Sequence, residues 1–402
     1  MPLNDRSRDI QGQGRDHSGD SAASALSRRS DASTQSISAR TDEDRALVFP
    51  CERCGADLTF NIGAQSLSCP YCGYVKPLDL DPAASIEEQD FRSMLARIAE
   101  RRQKGCDDEV GVSEVRCTSC GATVCFVGTL TSMECAYCGA PLQREDIQDA
   151  ERRVPVDGVL PFLISREVAR ENLRKWVSSR WFAPNDFKAR GVQGRFNGIY
   201  LPYWTFDSAT TTHYTGQRGE HYYVTVGSGK NRRTVRRTRW YPASGTFQRF
   251  FDDVLVVAST GLPTKRIVAL EPWPLNQCIP FDREVLAGFL ARTYDIVLDE
   301  GFVGAKQRMD DALNSEVRQR IGGDTQRVHS VNTRYDAITF KHLLLPVWML
   351  AYRYGKKSYQ VVVNAGTGEV QGDRPYSWIK IALAVAAALI VCGMAAYFYS
   401  QG

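Results

Sequence analysis

No G-x-x-x-x-G-K-[ST] run occurs in the 402 residues. The backbone cradle and lysine with which P-loop proteins hold nucleotide phosphates are therefore missing, and a motor driven by ATP has no machinery. The nearest approach, Gly227-Ser228-Gly229-Lys230, carries Val224 where the first glycine belongs and Asn231 where Ser or Thr should follow. H-E-x-x-H, G-x-S-x-G and a kinase-like set are also absent, which removes zincin, serine-hydrolase and kinase chemistry. Histidine is scarce: His17, His213, His221, His329 and His342 are scattered, and none lies three or four residues from another. Asp252-Asp253 is the best carboxylate pair, but neighbours on a strand point to opposite faces, so it reads as a turn or bulge. The chain is expected not to be an enzyme. An apolar export segment is missing from the start as well, so the disulfides of a secreted domain are not expected.

Cysteine, by contrast, is present in a doubled pattern. Cys51 and Cys54 are followed by Cys69 and Cys72, and the same spacing returns at Cys117, Cys120, Cys135 and Cys138. Two C-x-x-C knuckles on facing hairpins can offer a metal ion four thiolates from a segment too short for its own core. A glycine follows the second cysteine of each knuckle (Gly55, Gly73, Gly121, Gly139) and allows the positive φ that points amides at sulfur. The pattern predicts two structural Zn²⁺ sites, because four thiolates close the ligand shell and leave no position for a reacting water. Eight thiolates and two ions contribute about −4, which cancels the formal +4 of the sequence.

Composition divides the rest. Residues 1–46 are rich in Ser, Arg, Asp, Gly and Gln and nearly free of aromatics, and are expected to be a disordered tail. Zinc ribbons are expected over 47–78 and 113–144, separated by a linker helix over 84–105 with a capping box from Ser85 to Glu88. At the far end Ile381 to Tyr399 is uncharged and free of proline. As a helix it spans roughly 28 Å, enough for a bilayer core, so residues 379–399 are expected to be a transmembrane anchor. Arg374 and Lys380 lie just outside the N-terminal end of the Ile381–Tyr399 run, which predicts an inner-membrane protein with its bulk in the cytoplasm.

Between ribbons and anchor, residues 154–376 read as an α+β domain with an internal duplication, about 154–260 and 270–376. Helices are expected over Arg166 to Ser179 and Ala305 to Ile321, the second ended by Gly322-Gly323. Strand candidates are Gly198–Phe206, His221–Val226, Thr234–Tyr241, Val254–Ser259, His342–Tyr352 and Ser358–Val363. The suggested repeat aligns Leu160-Pro161-Phe162 with Ile279-Pro280-Phe281, and Leu201-Pro202-Tyr203-Trp204 with Leu345-Pro346-Val347-Trp348. Proline in both L-P-x-W segments predicts sheet margins.

The most charged feature is the hairpin from His221 to Trp240, with Lys230, Arg232, Arg233, Arg236, Arg237 and Arg239 beside Tyr222, Tyr223, Trp240 and Tyr241. This mixture suits phosphate contact with base stacking, anionic lipid headgroups, or a solvated strand edge guarded by charge. The sequence leaves the three open.

The ribbons, the L-P-Y-W-T-F-D and F-F-D-D-V-L-V-V-A-S segments, Leu270-Glu271-Pro272-Trp273, the 342–352 strand and the C-terminal apolar run together resemble a family of bacterial double-zinc-ribbon membrane proteins. The resemblance runs from about Phe49 to the end. Members are often named after a primosomal replication helicase or a general transcription factor, and some are similar to membrane components of flotillin and phage-shock-type stress systems. The resemblance implies a membrane-tethered adaptor that recruits a cytoplasmic protein partner in envelope stress. The replication-linked name implies instead nucleic-acid binding through the ribbons and hairpin, without a motor.

Overall fold

The structure, a computed structural model, describes residues 49–78, 85–103, 112–116, 123–127, 130–134, 141–143, 153–184, 196–229, 232–260, 262–354 and 357–401. The expected tail over 1–46 lies outside them. From Arg45 onward the chain forms one unit. Its first part contains β1 (Thr59–Asn61), β2 (Ser66–Ser68), β3 (Val75–Pro77), β4 (Gln89–Asp90), α1 (Phe91–Gln103), β5 (Val112–Arg116), β6 (Thr123–Val127), β7 (Leu130–Glu134) and β8 (Pro141–Gln143). The body follows with β9 (Gly158–Val159), α2 (Arg166–Ser178), β10 (Phe196–Val226), β11 (Arg233–Val257), α3 (Thr264–Val268), β12 (Ile279–Pro280) and β13 (Leu290–Arg292). It closes with α4 (Leu298–Ile321), β14 (Thr325–Tyr354), β15 (Lys357–Asn364), β16 (Val370–Gly372) and α5 (Trp378–Gln401). The class is mixed α+β.

Six strand candidates resolve into four strands, three of them very long. β10 has 31 residues, β11 25 and β14 30. At about 3.3 Å per residue β10 runs for roughly 100 Å along its path. It pairs antiparallel with β11 on one side and β14 on the other. At Asp207–Ser208 both ladders slip in register, and Asp253 and Ala337 on the flanking strands have positive φ, so all three strands bend at one level.

The two L-P-x-W segments lie in the middle of the sheet, not at its margins, and pair with each other through Leu201↔Leu345. Proline is tolerated here because each sits at a seam between outer neighbours. On β10, β13 pairs as far as Tyr200 and β11 starts at Tyr203, leaving Pro202 between them. On β14, β9 reaches Leu344 and β15 begins at Val347, leaving Pro346 between them. Beside the two prolines, the Ala258 and Ala365 carbonyls are taken by the Asp295 and Ile296 amides and by the Leu163 and Ile164 amides, so neither ladder needs a proline N–H.

This crossing has a local two-fold character. β13 pairs parallel with β10 at Ile199–Tyr200, and β9 pairs parallel with β14 at Leu343–Leu344. The Trp204 indole donates to Ile296 O (2.9 Å), ahead of α4, and the Trp348 indole donates to Ile164 O (2.8 Å), ahead of α2. The counterpart of β9 is thus β13. Ile279-Pro280, which the sequence suggested, pairs with β9 itself.

α2 and α4 cover one face of the sheet, and Ile267 of α3 packs on the other with Ile199, Leu201 and Tyr203. α2 is capped by Ser165, whose hydroxyl accepts the Val168 amide, and buries Ala169, Leu173 and Val177. α4 starts seven residues before the expected Ala305 and buries Leu298, Gly301, Ala305, Met309, Leu313, Val317 and Ile321. Steps of four exceed the helical repeat, so this stripe winds around α4 and follows the twist of the long strands. The linker helix starts at Phe91 rather than inside 84–90. Asp90 accepts the Ser93 amide (2.7 Å), while Gln89-Asp90 pairs with β14 and Glu88 reaches Thr339 and Lys341.

Candidate functional site

The first cysteine cluster is built by two equivalent knuckles. Gly55 N donates to Cys51 O (2.8 Å) and Gly73 N to Cys69 O (3.1 Å), both glycines having φ 72°. Cys51 N donates to Ala56 O (2.7 Å) and Cys69 N to Tyr74 O (2.8 Å). The repeated turn brings Cys51 Sγ within 3.5 Å of Cys72 Sγ, and Cys54 Sγ within 3.5 Å of Cys69 Sγ. All four sulfurs lie within 4.8 Å of one another and can hold one metal ion. The amides of Cys72 and Tyr71 hold the Cys69 thiol down to about 6. Cys54 gains the Ala56 amide, yet crowding by the Cys69 and Cys72 thiols pushes it up to about 12. A cation bound among the four sulfurs would hold them all as thiolates. Cys117, Cys120, Cys135 and Cys138 lie outside the described residues.

The surroundings of this cluster change its meaning. Cys51, Leu58, Phe60, Leu67 and Cys69 share a core with Phe162, Phe289 and Trp348 of the body. Phe60 meets Phe289 edge to face at 6.4 Å. Phe60 N donates to Ala287 O (3.1 Å), the Gln65 amide to Phe162 O (2.8 Å), and Lys76 pairs with Glu284 at 2.5 Å. The β1–β3 module is thus docked along one side, with Tyr71 and Val75 among its exposed residues. Near the second cysteine set, β7 joins the main sheet through β13 and carries β8 with it.

The basic hairpin is a projecting arm. The ladder between β10 and β14 ends at Gly219↔Thr325, whereas β10 and β11 stay paired out to Val226↔Arg233. Seven residues of each strand, roughly 23 Å, extend beyond the third strand. Register divides the arginines, because directly paired residues share a face. Arg233, Arg237 and Arg239 lie on one face with Tyr222, Val224, Val226 and Glu220; Arg236 lies on the other beside Tyr223. The Arg239 guanidinium stacks over the Tyr222 ring at 5.2 Å. Arg232 is exposed at the start of the returning strand, and Lys230 lies outside the described residues.

An acidic group at the strand bend escaped sequence reasoning because its members are far apart in the chain. Glu88, Asp207 and Asp252 have carboxylate oxygens within 4.8 Å of one another. Lys341 Nζ supplies a cation here, 2.8 Å from Asp253, 3.3 Å from Glu88 and 3.9 Å from Asp207. Asp252-Asp253 is therefore part of an ion-paired bend. Burial pushes the Cys278 thiol up to about 12.

α5 exceeds the expected 379–399 slightly at both ends. Its segment Trp378–Ala396 has a mean hydropathy of 2.3 and no buried residue, and is long and apolar enough to cross a membrane.

Against known proteins, the chain is 27% identical over 350 residues to the uncharacterized protein YdjG of Bacillus subtilis (strain 168), covering 84% of this chain and 92% of that one. No family model and no solved structure matches it.

Proposed function

We propose that this chain is a membrane-tethered adaptor that uses the projecting arm to recruit an acidic soluble protein. The observation that carries this reading is the arm itself: two paired strands with no third strand among the described residues, bearing arginines, tyrosine and valines on one face. A mixed basic and apolar face fits an acidic protein surface, where apolar contact adds to charge pairing. The arm and the apolar helix belong to opposite ends of β10. β16, just before that helix, pairs with β15, which pairs with β14 opposite Phe196 to Ile199, whereas the arm begins beyond Gly219. This separation favours a soluble partner over headgroups of the tethering bilayer. Arg374 before the apolar helix and Lys380 in its first turn support a cytoplasm-facing body at an inner membrane.

Zinc is the ion the four sulfurs suit. Tetrahedral bonds of about 2.3 Å place sulfurs about 3.8 Å apart, near the 3.5 Å of the two closest pairs. A closed thiolate shell makes the ion a staple of the body. Cys117, Cys120, Cys135 and Cys138 repeat the spacing and would hold a second. Tyr223 beside Arg236 on the other face of the arm supports the second reading, nucleic-acid binding by stacking and phosphate contact.

Full-length protein in phospholipid nanodiscs, with a photo-crosslinking residue at Tyr222 or Tyr223, tests the proposal. The expected result is crosslinking to an acidic protein from the soluble fraction, lost in Arg233→Glu/Arg237→Glu/Arg239→Glu. Salt-dependent binding of a single-stranded oligonucleotide, with no protein crosslink, would replace the adaptor reading by the nucleic-acid one.

A further inference from the structure

The turn after α2 exposes two adjacent aromatics where a soluble loop would carry polar residues. Trp181 is 76% exposed and Phe182 38%. The turn is firmly held: Ala183 N donates to Arg180 O (3.1 Å), and Ala183 is fully buried in the core shared by α2 and the cysteine module.

The same turn is bonded to the first turn of the apolar helix. Ser377 N donates to Phe182 O (2.8 Å), and Lys380 Nζ donates to Ala183 O (2.8 Å). Residue 182 is thereby fixed against residue 377, which places Trp181 and Phe182 at the level of Tyr376 and Trp378, themselves 56% and 78% exposed. Four aromatics from two distant parts of the sequence meet where the apolar run begins. Two guanidiniums accompany them, Arg180 over the Trp176 ring at 4.7 Å and Arg374 over the Tyr376 ring at 5.3 Å. Tryptophan and tyrosine with arginine nearby match the headgroup layer, where rings face the acyl boundary and cations meet phosphate.

We infer that the Arg180–Ala183 turn is a second membrane contact, a fixed aromatic wedge seated in the interfacial layer of the bilayer that α5 enters. The inference rests on the reading of α5 as a membrane anchor. Its occupant is the phospholipid interface, because the wedge is continuous with the start of that helix. The wedge fixes the orientation of the body at the membrane, which a single helix on a swivel would leave free.

Depth-dependent quenching tests this in full-length protein reconstituted into phosphatidylcholine/phosphatidylglycerol vesicles containing lipids brominated close to the headgroup. Trp181 and Trp378 are two of the seven tryptophans. Each of Trp181→Phe and Trp378→Phe should remove roughly half of the lipid-quenchable emission. Both variants should still float with the vesicles, since both side chains are exposed and neither supports the core. Flotation with quenching unchanged by Trp181→Phe would overturn the wedge and leave the anchor standing. Loss of flotation by the unaltered protein would overturn both. Shielding of Trp181 from iodide that follows protein concentration instead of lipid would assign the surface to a second copy and also overturn the wedge.

Discussion

At the scale of single residues, Asp157 and His342 show how the buried sheet handles charge. Asp157 accepts the His342 amide (2.7 Å) on one carboxylate oxygen and the Gln89 side-chain amide on the other, and burial raises its pKa from 3.8 to about 6. Between about pH 4 and pH 6 the folded chain therefore holds a proton that the unfolded chain has lost. Stability falls as pH rises through that window and stays lower above it. His342 has the opposite sign: burial lowers it from 6.5 to about 4, so stability is lost as pH falls through the same range. Asp157→Asn keeps an acceptor for the His342 amide and removes the penalty. It should gain on the unaltered protein between pH 4 and pH 6 and lead by about 2–3 kcal/mol above it. Urea midpoints at pH 4.5 and pH 7.5 in detergent measure the gap, and an equal gap at both would assign the effect to packing. Asp207 also titrates near 6, which is why the difference between variants is the readout and not the slope of either one.

At the scale of elements, α4 depends on a close approach to β10. A Cβ on Gly301 would stand 2.6 Å from Trp204 Cδ1, and the ring cannot yield because its N–H is committed to Ile296 O. Gly301→Ala gains about 1 kcal/mol of helix propensity but overpacks the contact, for a net loss of roughly 1–2 kcal/mol. Thermal unfolding of the two proteins checks this, and an unchanged or higher midpoint would mean that helix and strand slide apart without strain. The same contact explains part of what sequence reading missed. α2 was legible because Ser165 caps it and Ala169, Leu173 and Val177 recur at helical spacing. The start of α4 was not, since glycines at 301 and 304 look like a break until Trp204 is seen to need the space. The long strands were hidden likewise. Residues 207–220 of β10 carry Thr, Ser, His and Gly with no alternating apolar pattern, and their length comes from cross-strand pairing and cover by α4. In the first cysteine cluster all four ligand candidates were legible from spacing alone, whereas docking of that module on the body was not, because Phe162 is about a hundred residues away and Ala287 and Phe289 more than two hundred. Nothing in the sequence marked the Trp181-Phe182 pair as exposed, and its bond to residue 377 was equally hidden.

At the scale of the whole molecule, the cysteine module is part of the main core. With zinc held there as proposed, stripping it should therefore destabilise more than the β1–β3 module. With a chelator under reducing conditions, the midpoint reported by the buried Trp204 and Trp348 should fall together with the far-ultraviolet signal, by on the order of 10 °C. A tryptophan transition that stays in place while zinc is released would mean that the module is an independent unit. The crossing of β10 and β14 has a further consequence. Each half of the body gives its short parallel strand to the other half's long one, and each tryptophan finds its carbonyl in the other half's loop. Neither half can complete its own sheet. A fragment cut between β11 and β13 would carry an unsatisfied strand edge and an unbonded indole, and the surface that meets both needs is the complementary fragment. The molecule is thus an exchange of strands between two halves held on one polypeptide, and the connection between them keeps each half at high effective concentration beside the other.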